Sequence, residues 1–474
     1  MNLVDRMRAY LRRTALLGTL LIACLALPAA TAGAETKTFT HLSTPITVAG
    51  YEVKIGFLPA PKPPENGHIT AMDVDIVNAD GTAVPISRLM LHHIVFLNLN
   101  REDQTCRGEG FLDWDEQTVF GFAPERFYGA GEERAKLVLP PGYGYRLDSG
   151  HHWAMTYMVM NHRAETDTAY IQYRFTYETG AGDADTRDLT PYWLDVRNCK
   201  ADPIYNVPGT GGPGSTHVER STYTMPTSGR IIAAGGHVHG GAKRLELREP
   251  GCGNRLIGSS IPTWGLRSHP FYNVRPILHE PGPINMSAFG TAQGIPVAAG
   301  ERIRLDSRYD NDRPHTRVMG IFVMYVDHDP AVTEPCGALP SDTIHVSTNQ
   351  PGRRGVVPFR IPLTGLDRNG NAVTISKPPG RNVRLRDGAT IRVGDRFFAK
   401  PNVVIERGER LRWLFDGIEL HNLTLANGPV GIGSPNLDDG RRFTRRFGRA
   451  GTYNFFCALH PVQMHQRVVV KKRG

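Results

Sequence analysis

The residues with the most distinctive chemistry lie near the C-terminus: His421 in ELHNLTL, then Cys457, His460 and Met464 in YNFFCALHPVQMHQRVVV. One thiolate, two imidazoles and a weak thioether form the soft donor set suited to a blue copper centre. The spacing puts Cys457, His460 and Met464 on one turn between two strands, with His421 arriving from an earlier strand. The neighbouring His465 is read as a surface residue. Upstream, His92-His93 sits in a strand-like MLHHIVF, and His162 ends the apolar stretch in MTYMVMNHRAE. Adjacent strand residues face opposite ways, so His92 and His93 reach one metal only where the strand ends or bulges. His237 and His239 in AAGGHVHGGAK share a face, and their glycines let other segments approach closely. Met319 in HTRVMGIFVMYV opens an apolar strand and offers a thioether suited to Cu(I).

The elements that must hold these residues are strands. In Tyr170–Tyr177, Ile171, Tyr173, Phe175 and Tyr177 alternate with Gln172, Arg174 and Thr176, the pattern of a half-buried strand. Similar runs recur at 89–99, 153–160, 230–234, 302–306, 318–326, 411–415 and 466–471, separated by turn residues such as Pro140-Pro141-Gly142. The expected fold is all-β, built of antiparallel sandwiches. Two seams, 201–215 and the polar stretch 337–387, divide the chain into units at about 36–200, 216–336 and 388–474, each of ordinary domain size. Pro351, Pro358, Pro378 and Pro379 predict that 337–387 is a semi-rigid linker.

The 474 residues, with 40% apolar and 21% charged side chains, describe a folded chain, and 51 Gly and 35 Pro make it rich in loops. The net charge of +9 owes part of its surplus to Arg6, Arg8, Arg12 and Arg13. The remaining basic residues are dispersed and lack aromatic interleaving, which argues against nucleic-acid binding. Residues 1–34 read as a secretory leader: a basic start, an apolar Ala15–Leu27 and a small-residue site at Ala32-Gly33-Ala34. Leu21-Ile22-Ala23-Cys24 and Arg12-Arg13 leave lipoprotein and twin-arginine variants open. No later run is long enough to span a bilayer. The expected location is secreted or periplasmic. Removing the leader leaves five cysteines in an oxidising compartment, so one has another task. Order along the chain favours Cys106 with Cys199 and Cys252 with Cys336, leaving Cys457 unpaired.

The tail, from about Ala389 to Val470, resembles the cupredoxins, which implies His421, Cys457, His460 and Met464 as ligands of a type 1 copper. The order His-His, PPGYGYRL, an apolar strand ending in His, HxH and then Met resembles the ascorbate-dependent type II copper monooxygenases that hydroxylate peptidylglycine and dopamine, over roughly 70–335. That resemblance implies two jelly-roll sandwiches with one type 2 copper each. His92, His93 and His162 would hold an electron-transferring copper. His237, His239 and Met319 would hold the catalytic one, across an open cleft. The implied reaction hydroxylates a C–H bond of a small-molecule or peptide substrate with O2 and a reductant such as ascorbate. Gly235 and Val323 stand where peptide-amidating members carry Arg and Tyr, so a carboxylate-bearing substrate lacks its clamp. The fused tail would relay electrons from an external donor through the edge near His460 to the three-histidine copper.

Two other readings are separable. A non-catalytic copper carrier does not require Met319 at an exchangeable site. A multicopper oxidase would place histidines beside the Cys, where Phe456 and Ala458 stand.

Overall fold

The structure, a computed structural model, describes residues 35–113, 118–180, 183, 185–346, 352, 355–357 and 359–473. The leader at 1–34 and two of the linker prolines, Pro351 and Pro358, lie outside the described residues. The fold is all-β. The alternation read in the sequence is realised in the strand Asp167–Thr179, whose Ile171, Tyr173, Phe175 and Tyr177 are buried. They face Ile94, Phe96 and Trp153 across the first core. Disulfides join Cys106 to Cys199 and Cys252 to Cys336, and Cys457 is a buried free thiol.

The first two units are not parted at the 201–215 seam. The strand Arg187–Asp195 pairs in parallel with Tyr143–Leu147 on one side. On its other side it pairs antiparallel with Gly320–His328 of the second unit. One sheet therefore runs through both units and carries Gly229–Val238 next to Gly320–His328. Each half is covered by a separate four-stranded sheet, Leu89–Glu102 with its neighbours in the first and Arg302–Asp310 with its neighbours in the second. The sequence pattern shows which residues are half-buried but not which strands pair, so this continuity was hidden from it.

The stretches expected to be spacers are used as contacts. Within the seam, Tyr205–Val207 pairs with His315–Val318. That strand also receives the tail: Asn206 Nδ2 donates to Gly433 O at 2.9 Å and Gly431 N to Pro208 O at 3.0 Å. A Cβ on Gly431 would lie 2.2 Å from Val207 O, so the approach requires glycine there. In the linker, Ile344–Val346 extends the large sheet, Thr364–Leu366 and Ala372–Thr374 form a hairpin, and Val383–Arg384 joins the tail's own sheet. The linker is thus folded onto its neighbours rather than spanning between them. The tail is a sandwich of a five-stranded and a four-stranded sheet around Trp413, Phe415, Phe447 and Phe455.

Candidate metal centres

In the tail, Cys457 ends the strand Gly451–Cys457 and His460 begins His460–Lys471, with the two residues paired across a tight turn. His421 is held by a bridge to Leu437, its N–H donating to Leu437 O at 2.9 Å. This brings Cys457 Sγ to 4.0 Å from His421 Nδ1 and 3.7 Å from His460 Nδ1, with the two Nδ1 atoms 3.2 Å apart. Those separations suit three donors about 2 Å from one small ion. Asn422 N–H donates to Sγ at 3.4 Å, and Asn422 Oδ1 accepts from Ala458 N at 2.8 Å, fixing the turn. The outer Nε2 atoms face carboxylates, Asp395 on His421 at 3.4 Å and Glu419 on His460 at 3.2 Å. Such outer partners orient ligating imidazoles. Burial, with His421 adding to it, pushes His460 down to about 4, so its imidazole is neutral and has a lone pair for a metal. Burial pushes the Cys457 thiol up, which a bound cation would reverse. Met464 is fully buried in the same apolar cluster as Cys457. His465 corrects the surface expectation: it is 8% exposed, and its Nε2–H donates to Pro461 O at 3.0 Å.

The bulge that His92-His93 needs is present. Met158 opposes His93 and Val159 opposes Leu91, leaving His92 as the extra residue. The Nδ1 atoms of His92 and His93 come to 3.0 Å. The expected cleft is not seen between the two histidine pairs. The His92 ring centroid lies 5.1 Å from that of His239, and those of His237 and His239 are 5.2 Å apart. The shared sheet delivers His237 directly onto the strand Pro124–Gly131, where a Cβ on Gly131 would fall 2.3 Å from His237 Cε1. His162 also differs from expectation. The ring beside it is that of His279, at 5.9 Å, and His279 in turn lies 5.2 Å from His92.

Three residues that sequence reasoning missed complete this cluster. Glu132 Oε1 lies 2.7 Å from His279 Nε2 and 3.4 Å from His92 Nε2, and this trio can converge on one ion. Glu133 pairs with His237 Nδ1 at 3.1 Å. Burial opposes charge on both, and the pairing works against it: Glu133 lies below and His237 above its ordinary value. The two carboxylates follow Gly131 in YGAGEERAK, but only the bulged register of Leu89–Glu102 reveals that they face histidines.

The ring nitrogens supply the test of fit. His162 Nδ1–H donates to Pro276 O at 3.2 Å and His239 Nδ1–H to Arg317 O at 3.0 Å. A carbonyl accepts only, so both neutral rings carry their lone pair on Nε2. Burial pushes His162 down to about 3 and His239 well below its usual value, keeping both neutral. The Nε2 atoms of His162, His237 and His239 and Nδ1 of His279 are buried without a hydrogen-bond partner. Buried polar atoms left unsatisfied are costly, and bound metal would satisfy those nitrogens that carry a lone pair. Tyr309 stitches the second group: His239 N–H donates to its hydroxyl at 2.8 Å, and that hydroxyl donates to Met319 O at 2.7 Å. Met319 is 9% exposed and packs against Trp193, Ile204 and Ile321. A cavity of about 680 Å³ opens beside Met319, His237, His93 and Glu133, with Gly235 and Val323 in its wall.

A family model described as Stress up-regulated Nod 19 matches residues 151–329. That span holds His162, His237, His239, His279 and Met319 and crosses the shared sheet. Amicyanin of Paracoccus versutus is 26% identical over 132 residues, 27% of this chain and 99% of that protein. Among solved structures, a purple cupredoxin from Nitrosopumilus maritimus is 27% identical, covering 18% of this chain and 99% of its own, at a TM-score of 0.17. An oxidised amicyanin carrying a point substitution is 21% identical over 18% of this chain and 82% of its own, also at 0.17. The amicyanin similarity and the Cys457 geometry agree that part of this chain is cupredoxin-related and suited to copper and electron transfer.

Proposed function

We propose that this chain is an exported copper monooxygenase in which the cupredoxin-like tail supplies single electrons to a histidine-rich core that hydroxylates a C–H bond of an apolar substrate. The observation that carries this reading is the set of four buried imidazole nitrogens without partners, one of them on His237, which lines the same cavity as Met319. His237, His239 and Met319 would hold the oxygen-reactive copper. His92 and His93, with His162, His279 and Glu132 around them, would hold the second. Bound copper would supply one-electron redox chemistry and affinity for dioxygen.

The chain's own residues do the rest. Glu133 fixes the His237 ring and Arg317 O the His239 ring, and Tyr309 ties His239 to Met319. Val95, Ile321, Val323, Phe289 and Met158 give the cavity a largely apolar wall, which favours an apolar substrate. Arg126, which also lines it, is already paired with Asp103 at 2.7 Å. Neither Gly235 nor Val323 offers a charge for a substrate carboxylate. The two disulfides and the absence, among the described residues, of a helix long and apolar enough to cross a membrane fit a secreted or periplasmic protein.

Met319→Leu keeps bulk and removes the thioether. It is expected to abolish ascorbate-driven oxygen consumption while sparing the blue absorption. Unchanged turnover would reject the catalytic assignment and leave a copper carrier.

A further inference from the structure

Arg317 sits where the tail meets the core, in a left-handed backbone conformation with φ of 55° and a side chain only 11% exposed. A non-glycine residue holds that conformation only where its surroundings fix it. Here five hydrogen bonds do so. Its N–H donates to Asn206 Oδ1 at 3.1 Å and its carbonyl accepts from His239 Nδ1 at 3.0 Å. Its guanidinium donates to Ser434 O at 2.5 Å, to Asp202 Oδ2 at 3.0 Å and to Asn436 Oδ1 at 3.0 Å. The planar fork of arginine suits several fixed acceptors at once.

Asn436 Oδ1 also accepts from Asn422 Nδ2 at 2.9 Å, and Asn422 N–H donates to Cys457 Sγ at 3.4 Å. An unbroken series of covalent and hydrogen bonds therefore runs from Cys457 through Asn422, Asn436 and Arg317 to His239. Electronic coupling decays more slowly through such bonds than across empty space.

We propose that Arg317 is a positioning residue that docks the tail and carries the path by which single electrons pass from the Cys457 centre to the His239 centre. This rests on the copper reading above. The route leaves Cys457 through Asn422 and arrives beside Met319, not through the His460 edge to the three-histidine group. Each transfer oxidises the tail centre by one electron and reduces the core centre by one. An external one-electron donor of the ascorbate class then restores the tail.

The test uses the full copper-loaded chain. A photochemically generated one-electron reductant bleaches the blue absorption, and its return is followed before oxygen is added. Wild type should recover in a first-order phase independent of protein concentration. Asn436→Leu removes the shared acceptor but leaves Arg317 bound to Ser434 and Asp202, so docking survives. It should slow recovery at least tenfold with the blue spectrum and copper content unchanged. Arg317→Met should slow it as much, and if that variant loses its fold the Asn436→Leu result stands alone. Equal rates in Asn436→Leu and wild type overturn the route. Absent recovery in wild type with both centres filled overturns the relay, and a core without copper overturns the reading on which it rests.

Discussion

In the tail, two residues separate Cys457 from His460, and His421 joins them across one bridge, so three donors converge inside one small sandwich. In the core, His92-His93, His162, His237 with His239, and His279 come from four chain stretches on two sandwiches. The tail's centre needs only its own hairpin and the single bridge between His421 and Leu437 to form. The core cluster needs the shared sheet, the bulge at His92 and the glycine at position 131 all in register. A local site is robust and readable; an assembled one is tunable, since any element that shifts the docking of the sandwiches moves its donors.

The largest effect that separates the two regions is all-or-none. Cys457→Ser should abolish the blue absorption entirely while the core keeps its copper, because a hydroxyl cannot replace the soft thiolate. Optical spectra and metal analysis on the same sample check this. Coincident loss of copper from both regions would show that the sites are not independent.

The regions also respond oppositely to pH. Burial pushes Glu125 of the core up to about 7, against Arg101 and Tyr145, and pushes Asp195 up to about 6, against Arg126. In the tail, hydrogen bonds from Arg410 hold Asp387 down at about 2, and Arg396 lowers Glu419. An unfolded chain releases the Glu125 proton near 4.5, whereas the folded core keeps it until about 7. The core therefore loses stability as pH rises through that window, by on the order of 3 kcal/mol for Glu125 alone. The depressed tail carboxylates contribute stability above their ordinary range that is lost on acidification. Glu125→Gln should flatten the fall in melting temperature between pH 4.5 and 7. Identical slopes for variant and wild type would contradict the assignment.

Much of the tail was legible because its ligands lie close in sequence and its strands alternate plainly. The all-β class and the strand Asp167–Thr179 were equally readable. What escaped was long-range. His279 sits in RPILHEPGP without strand periodicity, and Glu132 and Glu133 look like ordinary surface charges in a polar stretch. Their role depends on which strands pair, and on His237 being carried across a sheet whose continuity no local pattern encodes. His465 misled for a similar reason, since a polar residue between Met464 and Gln466 gives no sign of the Pro461 carbonyl that satisfies it.

A smaller effect tests the core's outer contacts. Glu132→Gln keeps shape but removes the charge facing His92 and His279. It should weaken core copper about 10–100-fold with the blue centre untouched, by competitive chelator titration. The smallest effect is expected at Met464. Met464→Leu should keep the blue copper and change stability by less than about 1.5 kcal/mol in thermal unfolding, as a volume-conserving swap of a weak axial donor. Loss of copper in that variant would make the thioether an essential ligand.

The most direct measurement of the central claim is copper anomalous diffraction from crystals of the copper-loaded chain. One peak is expected between Cys457 Sγ, His421 and His460, with further copper density among the partnerless nitrogens of His237, His239, His162 and His279. A single peak in the tail, with those four histidines metal-free at saturating copper, would contradict that claim.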